Sequence, residues 1–180
     1  MRYLARGFTL IELMVTLAVT AIVLSIAIPS FQSQLLNNRS VALGEDFATA
    51  INLARSEAVK RSSRVSICAS ETGNECDGEW VDGFIVFVDL AVRDTDSDPV
   101  VGSVLKVWGK QDPNAVITAK SNAVDVTFIR YTSLGTIARV TDNSVVIEAQ
   151  LKKCTGSAAR NITVGLSGMV SVVRAACTAS

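Results

Sequence analysis

The sequence predicts an α+β protein in which one long N-terminal helix, membrane-spanning in its first half and amphipathic in its second, packs on a mainly antiparallel β domain. Three observations lead there. An uncharged, apolar run follows Glu12 and reaches Pro29, apolar residues then recur at helical spacing as far as Ala58, and from Arg64 onward the period changes to two. Parallel strands need crossover helices, and the second half of the chain offers none, so antiparallel pairing is expected.

The first element is set by length and charge. Residues 8–28 are 21 in number, about 31 Å of helix at about 1.5 Å per residue, which matches a hydrocarbon core about 30 Å thick. Arg2 and Arg6 precede the run and the next basic residue is Arg39, a bias that keeps the N-terminus in the cytoplasm and the body of the protein outside. Glu12 is the one charge inside the run. An ionised group costs about 2.5 to 3.5 kcal/mol at the centre of a membrane helix and less near its ends, so it needs a partner or a task. A cleaved secretory signal would have its small-residue site after the apolar core, where Ala27-Ile28-Pro29 is a poor substrate. Gly7 precedes the core instead, and a cut there leaves the hydrophobic helix on the product.

Arg6-Gly7-Phe8-Thr9-Leu10-Ile11-Glu12-Leu13 resembles the class III signal of type IV pilins and type II secretion pseudopilins: a short basic leader, Gly, Phe, and Glu at the fifth mature position. An ordinary membrane anchor is the plain alternative, and it has no need of Glu12. The resemblance implies that residues 1–7 are a leader, that prepilin peptidase cuts between Gly7 and Phe8 and methylates the new amine of Phe8, and that Glu12 meets the N-terminal amine of a neighbouring subunit as helices bundle. Residues 8–29 then form the membrane and assembly segment.

Residues 30–63 form the amphipathic half of the helix. Leu43, Phe47, Ile51, Ala54 and Ala58 draw an apolar stripe able to cover a sheet, while Asp46, Asn52, Arg55 and Lys60 fall largely off it. Pro29 and Gly44 are its irregular positions, and a kink or local melt is expected at the proline. Lys60, Arg61 and Arg64 close the helix, where cations suit the negative end of the dipole.

Composition bounds the remainder, residues 64–180. The residues beyond the anchor, 30–180, suffice for one compact domain. Seventeen basic and 17 acidic residues give a formal net charge of +0, and 6% aromatic content leaves few stacking surfaces; neither feature draws nucleic acid. The absence of histidine excludes His-based triads, His-containing zinc sites and imidazole acid–base chemistry. Neither a P-loop nor a G-x-G-x-x-G occurs, so no enzyme and no cofactor is expected. Cys68, Cys76, Cys154 and Cys177 contain no C-x-x-C and lie outside the membrane by the charge bias, where an even number reads as disulfides. Of the three possible connectivities we favour Cys68 with Cys76, closing a small polar loop, and Cys154 with Cys177, tying back the C-terminus. A zinc site of four thiolates is the rival, against which the spacing speaks.

Strands are expected at 65–69, 83–89, 101–108, 124–131, 144–151, 161–166 and 169–173, with a tight turn at Leu166-Ser167-Gly168-Met169. Ser66-Ile67-Cys68, Cys76 and the run from Trp80 through Gly83 and Phe84 to Asp89 are similar to the pseudopilin H and FimT/FimU branch. Trp80 and Trp108 read as core residues. Asp94, Asp96 and Asp98, with Asp89 before them, present alternate carboxylates that could converge on calcium, but Pro99 stands where such a loop wants Gly and the twelfth-position Glu is missing; an exposed acidic loop is the plainer reading. Asn38-Arg39-Ser40 and Asn161-Ile162-Thr163 match glycosylation acceptors in form only.

The resemblance implies a structural subunit whose partners are prepilin peptidase, the bacterial inner membrane, other minor pilins and the major pilin, or the corresponding pseudopilins. The leading expectation is a minor pilin at or near the tip of a type IV pilus, followed by a type II secretion pseudopilin. A DNA-binding role in uptake is the reading of another class. Some FimT-like members carry Gly-Arg-x-Arg in the last hairpin, but here Met169 and Ser171 occupy the arginine positions. Lys152, Lys153, Arg160 and Arg174 are the cations left to converge, and DNA is not an expected partner.

Overall fold

The computed structural model describes residues 8–138 and 144–178. The chain divides into two compact units, residues 1–35 and 36–180. One helix, α1 (Leu10–Arg61), runs through Pro29 and Gly44 as a single element, so the expected melt at the proline does not occur.

In the first unit every described residue is exposed, and an 18-residue window reaches a mean hydropathy of 2.4 with none of it buried. Three hydroxyls of the span are satisfied within the helix. Thr16 donates to the Leu13 carbonyl at 2.8 Å, Thr20 to Thr16 at 2.6 Å and Ser25 to Ile22 at 2.7 Å. In hydrocarbon an unsatisfied polar group costs several kcal/mol, and these bonds remove that cost without a partner helix.

In the second unit the helix is covered by two antiparallel sheets. The strands are β1 (Val65–Ala69), β2 (Phe84–Asp89), β3 (Val101–Trp108), β4 (Ala115–Ser121), β5 (Val124–Asp125), β6 (Phe128–Tyr131), β7 (Val145–Leu151), β8 (Ala159–Val164) and β9 (Val170–Ala175). They are ordered β3-β2-β1-β6 in one sheet and β5-β4-β7-β8-β9 in the other. The apolar stripe of the helix fills the space between: Leu43, Phe47, Ile51, Ala54 and Ala58 share one core with Ile67, Phe84 and Tyr131 of the first sheet and Ile147, Leu151 and Ile162 of the second. Polar groups pin the same half. Asn37 exchanges two hydrogen bonds with Thr155, at 3.0 and 2.9 Å, and the Ser40 hydroxyl accepts from the Leu151 amide at 3.2 Å. Gly44 is there because the helix touches β8, and a Cβ would lie 2.4 Å from Cβ of Arg160.

Two expectations are corrected. β4 went unforeseen: Val116, Ile117 and Thr118 favour a strand, but the buried positions are the small residues Ala115, Ala119 and Ser121, which blunt the alternation, and pairing with β7 completes it. The strand expected at 124–131 is two strands, since β5 closes a hairpin with β4 in the second sheet and the chain then crosses to place β6 beside β1 in the first. The run 124–131 has no Gly or Pro to mark such a change of sheet.

The turns account for the backbone outliers. Asn122 and Ala123 both have positive φ, 49° and 67°, between the paired Ser121 and Val124, which is a two-residue type I′ hairpin. The β8–β9 hairpin closes through a Gly168 N–H to Gly165 carbonyl bond of 2.7 Å, with Gly168 at φ 77°. A Cβ on Gly168 would fall on the Gly135 carbonyl oxygen, and Arg55 of the helix donates to that same oxygen at 3.1 Å.

These two turns give a signed pair of predictions. Ala123→Gly relieves a left-handed alanine and raises stability by about 1 kcal/mol. Gly168→Ala lowers it by more than that, because strain and a backbone clash act together. Urea unfolding of both variants measures the difference.

Candidate functional site

The N-terminal end of α1 is built by Thr9. The first N–H groups of a helix lack internal partners, and the Thr9 hydroxyl accepts from the Glu12 amide at 3.3 Å while its carbonyl accepts from Leu13 at 3.2 Å. Thr9-x-x-Glu12 has the spacing of a capping box, and a carboxylate in the first turn suits the positive end of the helix dipole. The motif was readable in the sequence. Glu12 therefore sits where an isolated helix tolerates it best, with its side chain free of any ion pair among the described residues. Phe8 is 79% exposed, and Gly7 lies outside the described residues.

The cysteines are joined in two pairs. Cys68 bonds Cys76 with Cα atoms 5.6 Å apart, and Cys154 bonds Cys177 at 5.7 Å. The first pair closes a loop organised by Asp77, whose Oδ1 accepts from the Glu71 amide at 2.9 Å. The second fixes the chain beyond β9, where the Cys177 amide donates to Gly156 at 3.0 Å and Thr178 exchanges two bonds with Gln150.

The acidic loop between β2 and β3 is organised from beneath. Asp89 and Arg130 form an ion pair of 2.7 Å with both side chains fully buried. Asp89 Oδ2 also accepts from the Ser66 hydroxyl at 2.6 Å, and its Oδ1 accepts from the amides of Ala91 at 2.9 Å and Val100 at 3.0 Å, so one carboxylate holds both ends of the loop. The remaining donors of Arg130 reach backbone carbonyls of the loop: Nη1 to Asp94 at 3.0 Å and Asp96 at 2.8 Å, and Nη2 to Asp98 at 3.0 Å. With the carbonyls turned inward, the carboxylates diverge. Asp94 pairs with Arg64 at 2.9 Å, Asp96 accepts from the Arg93 amide, and Asp98 accepts from Ser97. The calcium candidate therefore lacks its geometry, and among the described residues no three acidic, histidine or cysteine side chains form a metal-binding group.

Burial raises the Asp89 carboxyl, but hydrogen bonds from Ser66, Arg130, Ala91 and Val100 outweigh it and hold the group below the usual carboxylate range. Sequence reading missed Arg130. The signal was a lone charge between Ile129 and Tyr131 in an apolar strand, together with an acid at the end of another.

The remaining candidates are placed plainly. Trp80 is buried, donates to the Val126 carbonyl at 2.9 Å and packs edge-on to Phe47; Trp108 stacks on Phe84 at 5.1 Å. Arg160 and Arg174 are register neighbours on β8 and β9, but Arg160 is buried and donates to Glu45 and to the Ser157 and Ala159 carbonyls. Of the four cations considered for phosphate contact, Lys152, Lys153 and Arg174 are exposed.

A long N-terminal helix, bare and apolar in one half and buried under antiparallel sheets in the other, defines a pilin-like subunit. A family model described as Type II transport protein GspH matches residues 43–168, and one described as the prokaryotic N-terminal methylation motif matches residues 2–28. The chain belongs to the GspH family. Two crystal structures of the type IV minor pilin FimU of Pseudomonas aeruginosa strain PAO1 share the fold. One, in space group P21, has a TM-score of 0.56 and 22% identity over 76% of this chain and 89% of FimU; the other, in P65, has 0.53 and 20% over 73% and 90%. A comparison with curated proteins gives no match.

The depressed Asp89 carboxyl fixes the sign of a pH effect. Its contribution is fully present above the unfolded-state value of about 3.9 and is lost as pH falls through the lower folded-state value. Asp89→Asn leaves Arg130 buried without its counter-charge and lowers stability at neutral pH by about 3 kcal/mol. Thermal unfolding of wild type and variant from pH 7 to pH 2 should show the gap narrowing on the acid side.

Proposed function

We propose that this protein is a minor pilin of a type IV pilus. Prepilin peptidase cuts it between Gly7 and Phe8 and methylates Phe8. The mature chain rests in the inner membrane as a single-pass protein with its C-terminal domain in the periplasm, then enters the fibre at or near the tip. There it primes assembly and links other minor subunits to the major pilin. The observation that carries the reading is the exposed apolar half of α1, headed by Thr9-capped Glu12, on a domain of the GspH family. The FimU chains that share the fold are described as type IV minor pilins, which supports the choice. The family description names type II transport, which favours a second reading, a minor pseudopilin of a type II secretion system. The genes beside this one discriminate between them.

In either assembly the Glu12 carboxylate pairs with the protonated Phe8 amine of a neighbouring subunit as helices leave the bilayer. In a low-dielectric bundle the attraction is strong, but desolvation consumes much of it, so the pair acts on register and partner choice more than on stability. No enzymatic activity is proposed. DNA is not proposed as a ligand, since Met169 and Ser171 replace the motif arginines and Arg160 is buried.

Glu12→Val tests the reading. It removes the one costly group from the span, so membrane insertion stays at least at the wild-type level. Its fraction in sheared fibres relative to the membrane pool falls, with a partial defect expected, while both disulfides persist. Wild-type incorporation together with wild-type pilus number or secretion output would mean that Glu12 has no assembly role.

A further inference from the structure

We propose that the loop at residues 90–100 folds around an internal cation: the guanidinium of Arg130, in a cradle of backbone oxygens, takes the part that a metal ion plays in other acidic loops. Each nitrogen of the guanidinium has an acceptor. Nε meets the Asp89 carboxylate at 2.7 Å, and the two Nη atoms meet the carbonyls of Asp94, Asp96 and Asp98 within 3.0 Å. The Arg93 carbonyl is a further acceptor at 3.5 Å, and the Phe128 ring lies against the guanidinium at 5.2 Å.

Three features identify the ligand as a planar guanidinium and not a point charge. The acceptors are shared among three different nitrogens of one fork, which a spherical ion or a single ammonium does not match. Neutral carbonyls supply most of them, so the cradle adds little negative charge to attract a divalent cation. The carboxylates of Asp94, Asp96 and Asp98 are turned to Arg64, the Arg93 amide and Ser97, away from the centre that a metal would occupy. The consequence is a loop whose shape does not depend on calcium. It stays closed over the Asp89–Arg130 pair, with the side chains of Asp94 and Asp98 exposed. Arg130 stands on β6, which follows β5 across from the other sheet, so the loop gains its cation only when β6 pairs with β1.

Hydrogen exchange of the full chain in detergent micelles, read on the peptide covering 90–100, tests this. Wild type should exchange equally in calcium and in EDTA. Arg130→Ala should exchange about tenfold faster in that peptide, with a smaller change in β7 and β8, and methylguanidinium at about 10 mM should restore most of the protection where calcium or sodium chloride does not. If Arg130→Ala yields no folded protein, Arg130→Lys decides, because it keeps the charge and loses the fork: the loop should open in it as well. Wild-type protection in either folded variant, rescue by calcium equal to that by methylguanidinium, or loss of wild-type protection in EDTA would overturn the proposal.

Discussion

Burial of the second half of α1 between two sheets is the constraint on which the rest depends. Phe47 lies 4.2 Å from Phe84 and 5.6 Å from Trp80, and the alanines at 50, 54 and 58 are fully buried, so the backbone of the helix comes close to the strands. Without it the inner faces of both sheets would be wet. Fully burying a large apolar side chain contributes about 1.5 to 3 kcal/mol, and the helix supplies Leu43, Phe47 and Ile51 to one cluster that holds residues from both sheets. The helix is therefore part of the domain it leads into. Its first half, mainly apolar and exposed among the described residues, needs a lipid or protein environment to satisfy the same physical chemistry.

Among the described residues the buried polar side-chain atoms are engaged, with Arg64 Nε the exception. Span hydroxyls return to their own helix, Thr9 caps the first turn, and Arg130 with Asp89 forms the one fully buried ion pair among the described residues. A buried pair of this kind seldom adds much net stability, because desolvation offsets the attraction. What it supplies here is geometry: Asp89 holds the ends and Arg130 the middle of an eleven-residue connection at 90–100, and Arg64 adds bonds to Ala91 and Asp94.

The long helix, its change of character near residue 36 and the mainly antiparallel strands were legible because each is written as a period in the residues themselves. The stripe from Leu43 to Ala58 is buried along its whole length. What the sequence hid was long-range. β4 has its apolar alternation blunted by Ala115, Ala119 and Ser121 and is fixed by pairing with β7, and the step from β5 to β6 changes sheets within a run that has no Gly or Pro to mark it. The acidic loop showed its carboxylates in the sequence but not the arginine beneath it, because Arg130 lies 32 or more residues further along the chain. In the N-terminal segment Glu12 stood out as a charge, while the Thr9 cap three residues earlier was readable and went unread.

The proposed function requires the bare half of α1 to pass from membrane to fibre. Mass spectrometry of this chain in sheared fibres tests that passage most directly. The expected protein begins with N-methylated Phe8 and is present in the fibre fraction. A chain that retains residues 1–7 and is confined to the membrane fraction would contradict it.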